Sequence, residues 1–280
     1  MTRECYNVLY KKWGSIETMK NLHCIPNLNE IEEYLSLCAE YGMVFEYNEF
    51  FSPDLLTDPE AYEKAEKAYL ALERNRADDT LHGAFYDINI ASDDPDIRKI
   101  SDKRIRAGME SAKKLGAGGV IFHTNYIANF TLKSYRDAWV ERCAAYYRQL
   151  AADYPDVEVY VENMFDEDPE LLARLCEALK DVRNFGACFD FAHAYVSVTC
   201  IEDWLSVIGP YIKHIHINDN FGSEDLHLPV GSGTLPWELY DSFMRSFPEG
   251  KAPSVLIEVS GTEKLKKSLK YMKENKIYPF

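Results

Sequence analysis

The chain of 280 residues contains no long hydrophobic run. Its longest apolar stretches, such as 119–122 and 255–257, are far shorter than the roughly 20 residues that a membrane-spanning helix needs. The first residues also lack a basic segment followed by an apolar one, so no secretory signal is visible. We therefore expect no membrane association and a cytoplasmic location.

Positive charge is scarce as well. The chain has 31 Lys and Arg residues against 46 Asp and Glu residues, which gives a net charge of −15. Because nucleic acids and anionic membranes are bound largely through Lys and Arg, this balance argues against both as partners. It leaves open a local basic patch.

Paired-cysteine motifs and phosphate-binding glycine loops are absent too. Neither GxGxxG nor GxxxxGK follows any apolar run. The cysteines are odd in number and form no CxxC pair, so we interpret them as reduced thiols of the core. They are Cys5, Cys24, Cys38, Cys143, Cys176, Cys188 and Cys200.

Short β-branched or aromatic runs alternate with longer segments of helical period, a pattern typical of successive βα units. The strand candidates are 6–10, 43–50, 80–88, 118–126, 157–164, 185–193, 212–218 and 254–259. Helical patterns lie at 29–41, 58–74, 97–115, 132–153, 169–179 and 263–275, and the stretch 11–26 is expected to be irregular. Barrels of roughly 250 residues form one domain. We therefore predict a single (β/α)8 barrel over residues 1–280.

Polar residues gather at the carboxyl ends of the predicted strands, where the active site of such a barrel is assembled. Carboxylates inside apolar runs, such as Glu162 in VYVE and Asp190 in CFDF, are costly to bury unless they are paired or bind metal. Imidazole and carboxylate together suit Zn²⁺, Mn²⁺ or Co²⁺. Any one histidine is as well explained as a hydrogen-bonded barrel residue, but the whole set favours a metal site. The set is Glu46, Glu49, His82, Asp87, His123, Glu162, Asp190, His193, His216, Asp219, His227 and Glu258. We assign His214, two residues before His216, to the core or to a position behind the ligands.

Several motifs carry a family resemblance. They are HGAFYDIN at 82–89, VIFHTNY at 120–126, VENMFDEDPELL at 161–172, FGACFDFAHA at 185–194, and HIHINDN with DLHLPVGSGT within 214–234. With them the chain resembles the xylose isomerase-like barrels, in particular the sugar phosphate isomerase/epimerase branch, which is related to endonuclease IV.

The resemblance implies two sets of ligands. Ketose 3-epimerases hold one divalent metal, Zn²⁺ or Mn²⁺ here, with four residues that correspond to Glu162, Asp190, His216 and Glu258. Endonuclease IV holds three zinc ions with these four and further residues. The further ligands correspond to His82, His123, His193, Asp225 and His227. All these positions are filled, so more than one ion is possible.

Two enzyme functions follow from the resemblance. The first is an isomerase or epimerase of a small sugar or sugar phosphate that works through a metal-stabilised enediolate. Glu162 and Glu258 would act as base and acid, and His193 would bind a substrate oxygen. Its pocket walls would include Glu49, Tyr86, Asn163 and Trp237. The alternative is an endonuclease IV-like phosphodiesterase with several zinc ions, which the acidic charge disfavours. A metal-free binding barrel is a third possibility, and a homo-oligomer is compatible with the resemblance.

Overall fold

The computed structural model describes residues 22–127 and 130–280. Within them, eight parallel strands close into one barrel in sequence order, and β1 pairs with both β2 and β8. Helices lie between consecutive strands, so the predicted (β/α)8 barrel is confirmed. The strands are β1 (Leu22–Cys24), β2 (Val44–Tyr47), β3 (Thr80–His82), β4 (Gly119–His123), β5 (Glu158–Glu162), β6 (Phe185–Asp190), β7 (Ile212–Ile217) and β8 (Ser254–Ile257).

The first strand differs from the prediction. The strand predicted at 6–10 lies outside the described residues. The position between β2 and β8 is taken by Leu22–Cys24, inside the stretch that was expected to be irregular. Only three residues pair there, and the polar His23 is the middle one. A segment this short has too few alternations to be recognised from sequence.

Capping residues explain where several helices begin and end. Asp58 and Asp94 cap helices that begin with proline, and their carboxylates accept hydrogen bonds from the first backbone amides. Gly42 and Gly116 end two helices with φ of 67° and 78°, a conformation that favours glycine. No helix among the described residues is long and apolar enough to cross a membrane. The helices are α1 (Ile31–Tyr41), α2 (Pro53–Thr57), α3 (Pro59–Leu70), α4 (Pro95–Leu115), α5 (Lys133–Asp153), α6 (Glu170–Ala178), α7 (Phe191–Val196), α8 (Ile201–Ile208), α9 (Trp237–Arg245) and α10 (Thr262–Glu274).

The two faces of the strands have different chemistry. Side chains that alternate outward, such as Phe45, Val161 and Ile215, join the apolar core between barrel and helices. The opposite face fills the barrel interior, and much of it is polar: His23, Glu46 and His214 are fully buried there and contact one another or shared neighbours. The interior therefore contains a cluster of buried polar side chains from several strands.

Candidate metal site

The candidate ligands stand where the strands end. His82, His123, Glu162 and Asp190 are the last residues of β3, β4, β5 and β6. His216 is the last but one of β7, and Glu258 directly follows β8. The register pairs His123 with Glu162 and Asp190 with His216 across neighbouring strands. The barrel thus brings all six to one mouth, as predicted.

Four of these residues form one compact group. One ligand atom from each of Glu162, Asp190, His216 and Glu258 lies within 4.8 Å of the others. His216 Nδ1 is 3.3 Å from Glu162 Oε2 and 3.6 Å from Glu258 Oε2. All four side chains are buried. We call this set the tetrad.

A second group shares Glu162 with the tetrad. His82 Nε2 and His123 Nε2 lie 3.7 and 3.4 Å from Glu162 Oε2. The two imidazole nitrogens are only 3.0 Å from each other. His82 donates its Nδ1 hydrogen to the carbonyl of Gly83, so its Nε2 is free to bind a cation. We call His82, His123 and Glu162 the histidine pair group.

A third group lies beside the tetrad. Asp190 caps the short helix α7, and its Oδ1 accepts a hydrogen bond of 2.6 Å from the backbone N–H of His193. His193 Nε2 and His227 Nε2 point at Asp225 Oδ2 from 3.2 and 2.8 Å. We call His193, Asp225 and His227 the loop group, because two of its members lie on the loop after β7.

Backbone carbonyls set the tautomers of the loop group. His193 donates its Nδ1 hydrogen to the carbonyl of Asn163, and His227 donates its own to the carbonyl of Glu258. A carbonyl cannot donate, so each Nδ1 carries hydrogen and each neutral ring offers Nε2 as the ligand atom. Outer partners of this kind orient the histidines of metal sites.

The residues fit divalent cations because their polar atoms are buried and unsatisfied. Both Oε atoms of Glu162, Oδ2 of Asp190, Oε2 of Glu258 and Nδ1 of His216 make no hydrogen bond. Buried polar atoms are rarely left in this state. Among the described residues, every ion-pair partner of these carboxylates is a histidine. A bound cation would satisfy both the lone pairs and the charge.

The pKa values of the ligand residues reflect the close packing of these charged groups. Burial alone would raise the pKa of Glu162, but the charges of His216 and His123 lower it well below its ordinary value. Burial and the neighbouring carboxylates raise the pKa of Asp190. Burial opposes protonation of His227, yet Glu258 and Asp225 raise the pKa of that imidazole to about 10. Protons and a divalent cation would therefore compete for the same ligand atoms.

Other polar residues predicted at the mouth have different roles. Asp87 is exposed and belongs to no ligand group among the described residues. Asn163 was expected in the pocket wall, but its amide donates to the carbonyl of Asp190 and its Oδ1 accepts from the Asp190 amide. Trp237 is buried, and its indole N–H donates to Asp219. These contacts make Asn163 and Trp237 structural supports of the site.

Asp219 anchors the loop that carries Asp225 and His227. Its Oδ1 accepts from the amides of Asn220 and Leu235, and its Oδ2 accepts from Gly231 and Trp237. A Cβ at Gly233 would lie 2.2 Å from the Asn220 carbonyl, so the GSGT segment needs glycine there to close the turn. The loop is therefore held at both ends by one buried carboxylate.

From the sequence, Glu46 was expected only as one of the polar residues at the carboxyl ends of the strands. The side chain is fully buried and lies 3.1 Å from His216 Nε2 and from His214 Nε2. The assignment of His214 to a position behind the ligands agrees with this contact. The signal available in the sequence was a charged residue inside the apolar run VFEY.

The chain is similar in sequence to several known proteins. The probable endonuclease 4 of Mycobacterium leprae is 29% identical over 167 residues, which are 55% of this chain and 64% of that protein. The uncharacterized protein MJ1311 of Methanocaldococcus jannaschii is 28% identical over 173 residues, or 58% of each chain. The matches thus span about three fifths of the curated relatives' own length.

A solved structure shares the fold over a larger part of the chain. A D-tagatose 3-epimerase-like protein superposes with a TM-score of 0.69 at 24% identity, over 91% of this chain and 96% of its own. The family model for the xylose isomerase-like TIM barrel matches residues 35–275. With the closed barrel and the ligand-bearing strand ends, this match shows that the chain belongs to the xylose isomerase-like TIM barrel family.

Proposed function

We propose that this protein is a metal-dependent hydrolase of phosphate esters whose site holds more than one divalent ion. The observation that supports this best is that Glu162 belongs both to the tetrad and to the histidine pair group. Its Oε2 lies 3.3 Å from His216 Nδ1, 3.4 Å from His123 Nε2 and 3.7 Å from His82 Nε2. A carboxylate placed in this way can bridge two ions.

A bridging role competes with acid–base chemistry at the same carboxylate. An isomerase needs a base with a lone pair free for the substrate proton. Glu162 Oε2 lies within 3.3 to 3.7 Å of His216, His123 and His82, and Oε1 is 3.4 Å from His193 Nδ1. With two ions bound next to Glu162, little of its carboxylate would be accessible to a substrate.

The charge of the site also favours several ions. Glu46, Glu162, Asp190 and Glu258 are buried, and Asp225 is mostly so. Their ion-pair partners among the described residues are all histidines. One divalent ion would leave most of this negative charge without compensation, whereas two or three would balance it. Mixed imidazole and carboxylate ligands favour Zn²⁺ or Mn²⁺ over Mg²⁺ and Ca²⁺.

Bound divalent ions would activate a water molecule for attack and neutralise charge on the phosphate and on the leaving oxygen. The protein's own residues hold the ligand atoms in place. Asp190 fixes His193 through the helix cap, and the carbonyls of Gly83, Asn163 and Glu258 fix three imidazoles. Such preorganisation keeps the charged groups from rearranging during the reaction.

The substrate we propose is a small phosphate ester, because the chain lacks the positive footprint of a DNA-binding protein. Arg136, near the mouth, is already paired with Asp168 and Glu170. Lys264 donates to the carbonyl of His227. With a net charge of −15, extended contact with a polyanion would be repelled.

The test compares His227→Ala with the matched control Asp87→Asn. Zinc-loaded protein is assayed with p-nitrophenyl phosphate, bis(p-nitrophenyl) phosphate and a duplex that contains an abasic site. We expect hydrolysis of the small esters, with kcat/KM lowered by more than about 100-fold in His227→Ala, above the range typical of outer-shell partners. Asp87→Asn keeps a residue that tolerates the positive φ of 56° and should retain activity. Zinc-loaded protein that cleaves none of the three substrates would contradict the proposal.

Sugar isomerisation or epimerisation is the second candidate. The observation in its favour is that Glu162 and Glu258 project from β5 and β8 into the same group, each with an unbonded buried oxygen. One could remove a proton from one face of a sugar while the other supplies a proton to the opposite face. Entry of solvent deuterium into a sugar or sugar phosphate would identify this reaction. It should survive His227→Ala and be lost in Glu258→Gln, whereas the hydrolase should lose activity in both.

A further inference from the structure

The barrel interior below the tetrad contains a buried carboxylate that belongs to none of the three ligand groups. Glu46 lies on β2 and has no exposed surface. Its Oε1 is 3.1 Å from His216 Nε2, and its Oε2 is 3.1 Å from His214 Nε2. Thr80 donates a hydrogen bond of 2.6 Å to the same Oε2. Glu46 therefore joins a tetrad histidine to the layer beneath it.

That layer is connected across the barrel. Thr80 Oγ1 is 3.2 Å from His23 Nδ1, and His214 Nδ1 is 2.6 Å from Ser254 Oγ. The ring of Tyr160 stacks on His214 with centroids 5.7 Å apart. Strands β1, β2, β3, β5, β7 and β8 all contribute a side chain to these contacts. The carboxylate of Glu46 is thus held in one orientation.

The two nitrogens of His216 face different partners. Nδ1 points to Glu162 and Glu258 of the tetrad, while Nε2 points to Glu46. A histidine that binds a cation through Nδ1 carries its hydrogen on Nε2. Neither His216 Nε2 nor Glu46 Oε1 makes a hydrogen bond in this structure, although the two atoms are only 3.1 Å apart. With a cation on Nδ1, a carboxylate this close to the Nε2 hydrogen would accept it, fix the ring and make Nδ1 a stronger donor to the cation.

We propose that Glu46 is a positioning residue that orients His216 and strengthens its binding to a divalent ion in the tetrad. The inference rests on the metal site of the proposed function but is independent of the reaction, because the hydrolase and the isomerase both need that ion. Histidine ligands of metal sites commonly donate to such an outer carboxylate, and its loss typically lowers metal affinity or activity by roughly 10–100-fold.

The key variant is Glu46→Gln, which keeps the size of the side chain but removes its charge. Ser254→Ala is the matched control, because it removes hydrogen bonds of the same buried layer, to His214 and to the carbonyl of Lys213, and leaves the contacts of Glu46 itself in place. Glu46→Asp keeps the charge on a shorter side chain, and it serves where the glutamine variant does not fold. Thermal unfolding of the metal-free proteins establishes which variants are folded.

Metal binding is measured on the full chain by competition between zinc and a chromophoric chelator, and by the visible spectrum of the Co²⁺-loaded protein. In Glu46→Gln we expect affinity for one ion to fall roughly 10–100-fold, with a shift of the Co²⁺ bands. Glu46→Asp should lie between this variant and the wild type. Ser254→Ala should keep the wild-type affinity and spectrum. A second ion bound by the loop group should keep its affinity, because His193, Asp225 and His227 have no contact with Glu46.

Two results would overturn the inference: Glu46→Gln with unchanged zinc affinity and Co²⁺ spectrum, or an equal loss of affinity in Ser254→Ala, which would indicate a purely structural layer. The proposed function fails separately. If zinc binds and Glu46→Gln weakens it while no phosphate ester is cleaved, the role of Glu46 stands and the hydrolase does not. If the wild-type protein binds no divalent ion, both are wrong.

Discussion

The tetrad and the loop group use similar ligands but are held in different ways. Glu162, Asp190 and His216 lie on strands whose backbone is fixed by the barrel on both sides, and all three are buried. Asp225 and His227 lie on the loop after β7, where 17% and 37% of their side-chain surface is exposed. The strand ligands are therefore placed by the fold itself, whereas the loop ligands depend on a few side-chain contacts.

This difference predicts which group binds its ion more tightly and which ion exchanges faster with solvent. Ligands fixed before binding lose little freedom when an ion binds, so the tetrad should hold its ion firmly. The loop group must keep an exposed segment ordered, and loops are drawn from the less stable parts of a fold. We expect the ion of the loop group to exchange with solvent first.

The largest effect should come from Glu162→Gln, because Glu162 serves two ligand groups. Protein purified with zinc should lose more than one ion per chain, whereas Asp225→Asn should lose one. Elemental analysis of dialysed protein measures this, together with the rate of ester hydrolysis, which should fall by more than about 100-fold in Glu162→Gln.

An equal loss of zinc in Glu162→Gln and Asp225→Asn would contradict the prediction, because it would mean that Glu162 does not contribute to two ion sites. The control is Glu49→Gln, a carboxylate that follows β2 at the same mouth and belongs to no ligand group among the described residues. It should keep the metal content of the wild type.

The predicted strands carried four of the candidate ligands toward the barrel mouth. His82, His123, Glu162 and Asp190 are the last residues of β3, β4, β5 and β6, and the predicted strands 80–88, 118–126, 157–164 and 185–193 ran two to six residues past them. Asp225 and His227 lie on a long loop without periodicity, and only the family resemblance pointed to them. Neither source predicts that Glu46 contacts His214, since the two residues are 168 positions apart and meet only when the barrel closes.

A smaller effect is expected when the anchor of the loop is weakened. In Asp219→Asn one carboxylate oxygen is replaced by an amide nitrogen, so two of the donors from Gly231, Leu235, Asn220 and Trp237 lose their acceptor. Leaving buried donors unsatisfied costs about 1–3 kcal/mol each, so stability should fall by that order. Denaturant unfolding measures the loss, and zinc competition should show weaker binding in the loop group.

The tetrad ion should be retained in Asp219→Asn, because no hydrogen bond joins Asp219 to Glu162, Asp190, His216 or Glu258 in the described chain. Loss of that ion together with the loop ion would show that the two groups are not held independently. Glu238→Gln, which removes a charge from the exposed side of α9, is the control for a general loss of acidic charge.

The smallest effect should be the pH dependence of the metal-free protein, and it again separates the two regions. Burial opposes the charge of His227, but Glu258 and Asp225 raise its pKa to about 10 in the folded state, against about 6.5 in an unfolded chain. A raised pKa stabilises the fold fully below the unfolded value, and that stabilisation is lost as the pH rises through about 10. The thermal midpoint of the metal-free protein should therefore fall by a few degrees between these pH values, and by less in His227→Gln. The partly exposed position of His227 keeps the effect small through solvent screening.

Bound zinc should reverse the trend, because the ion competes with the same proton and binds more tightly as the pH rises. A wild type and a His227→Gln variant with the same pH profile, both metal-free, would mean that the loop group is not assembled before metal binds.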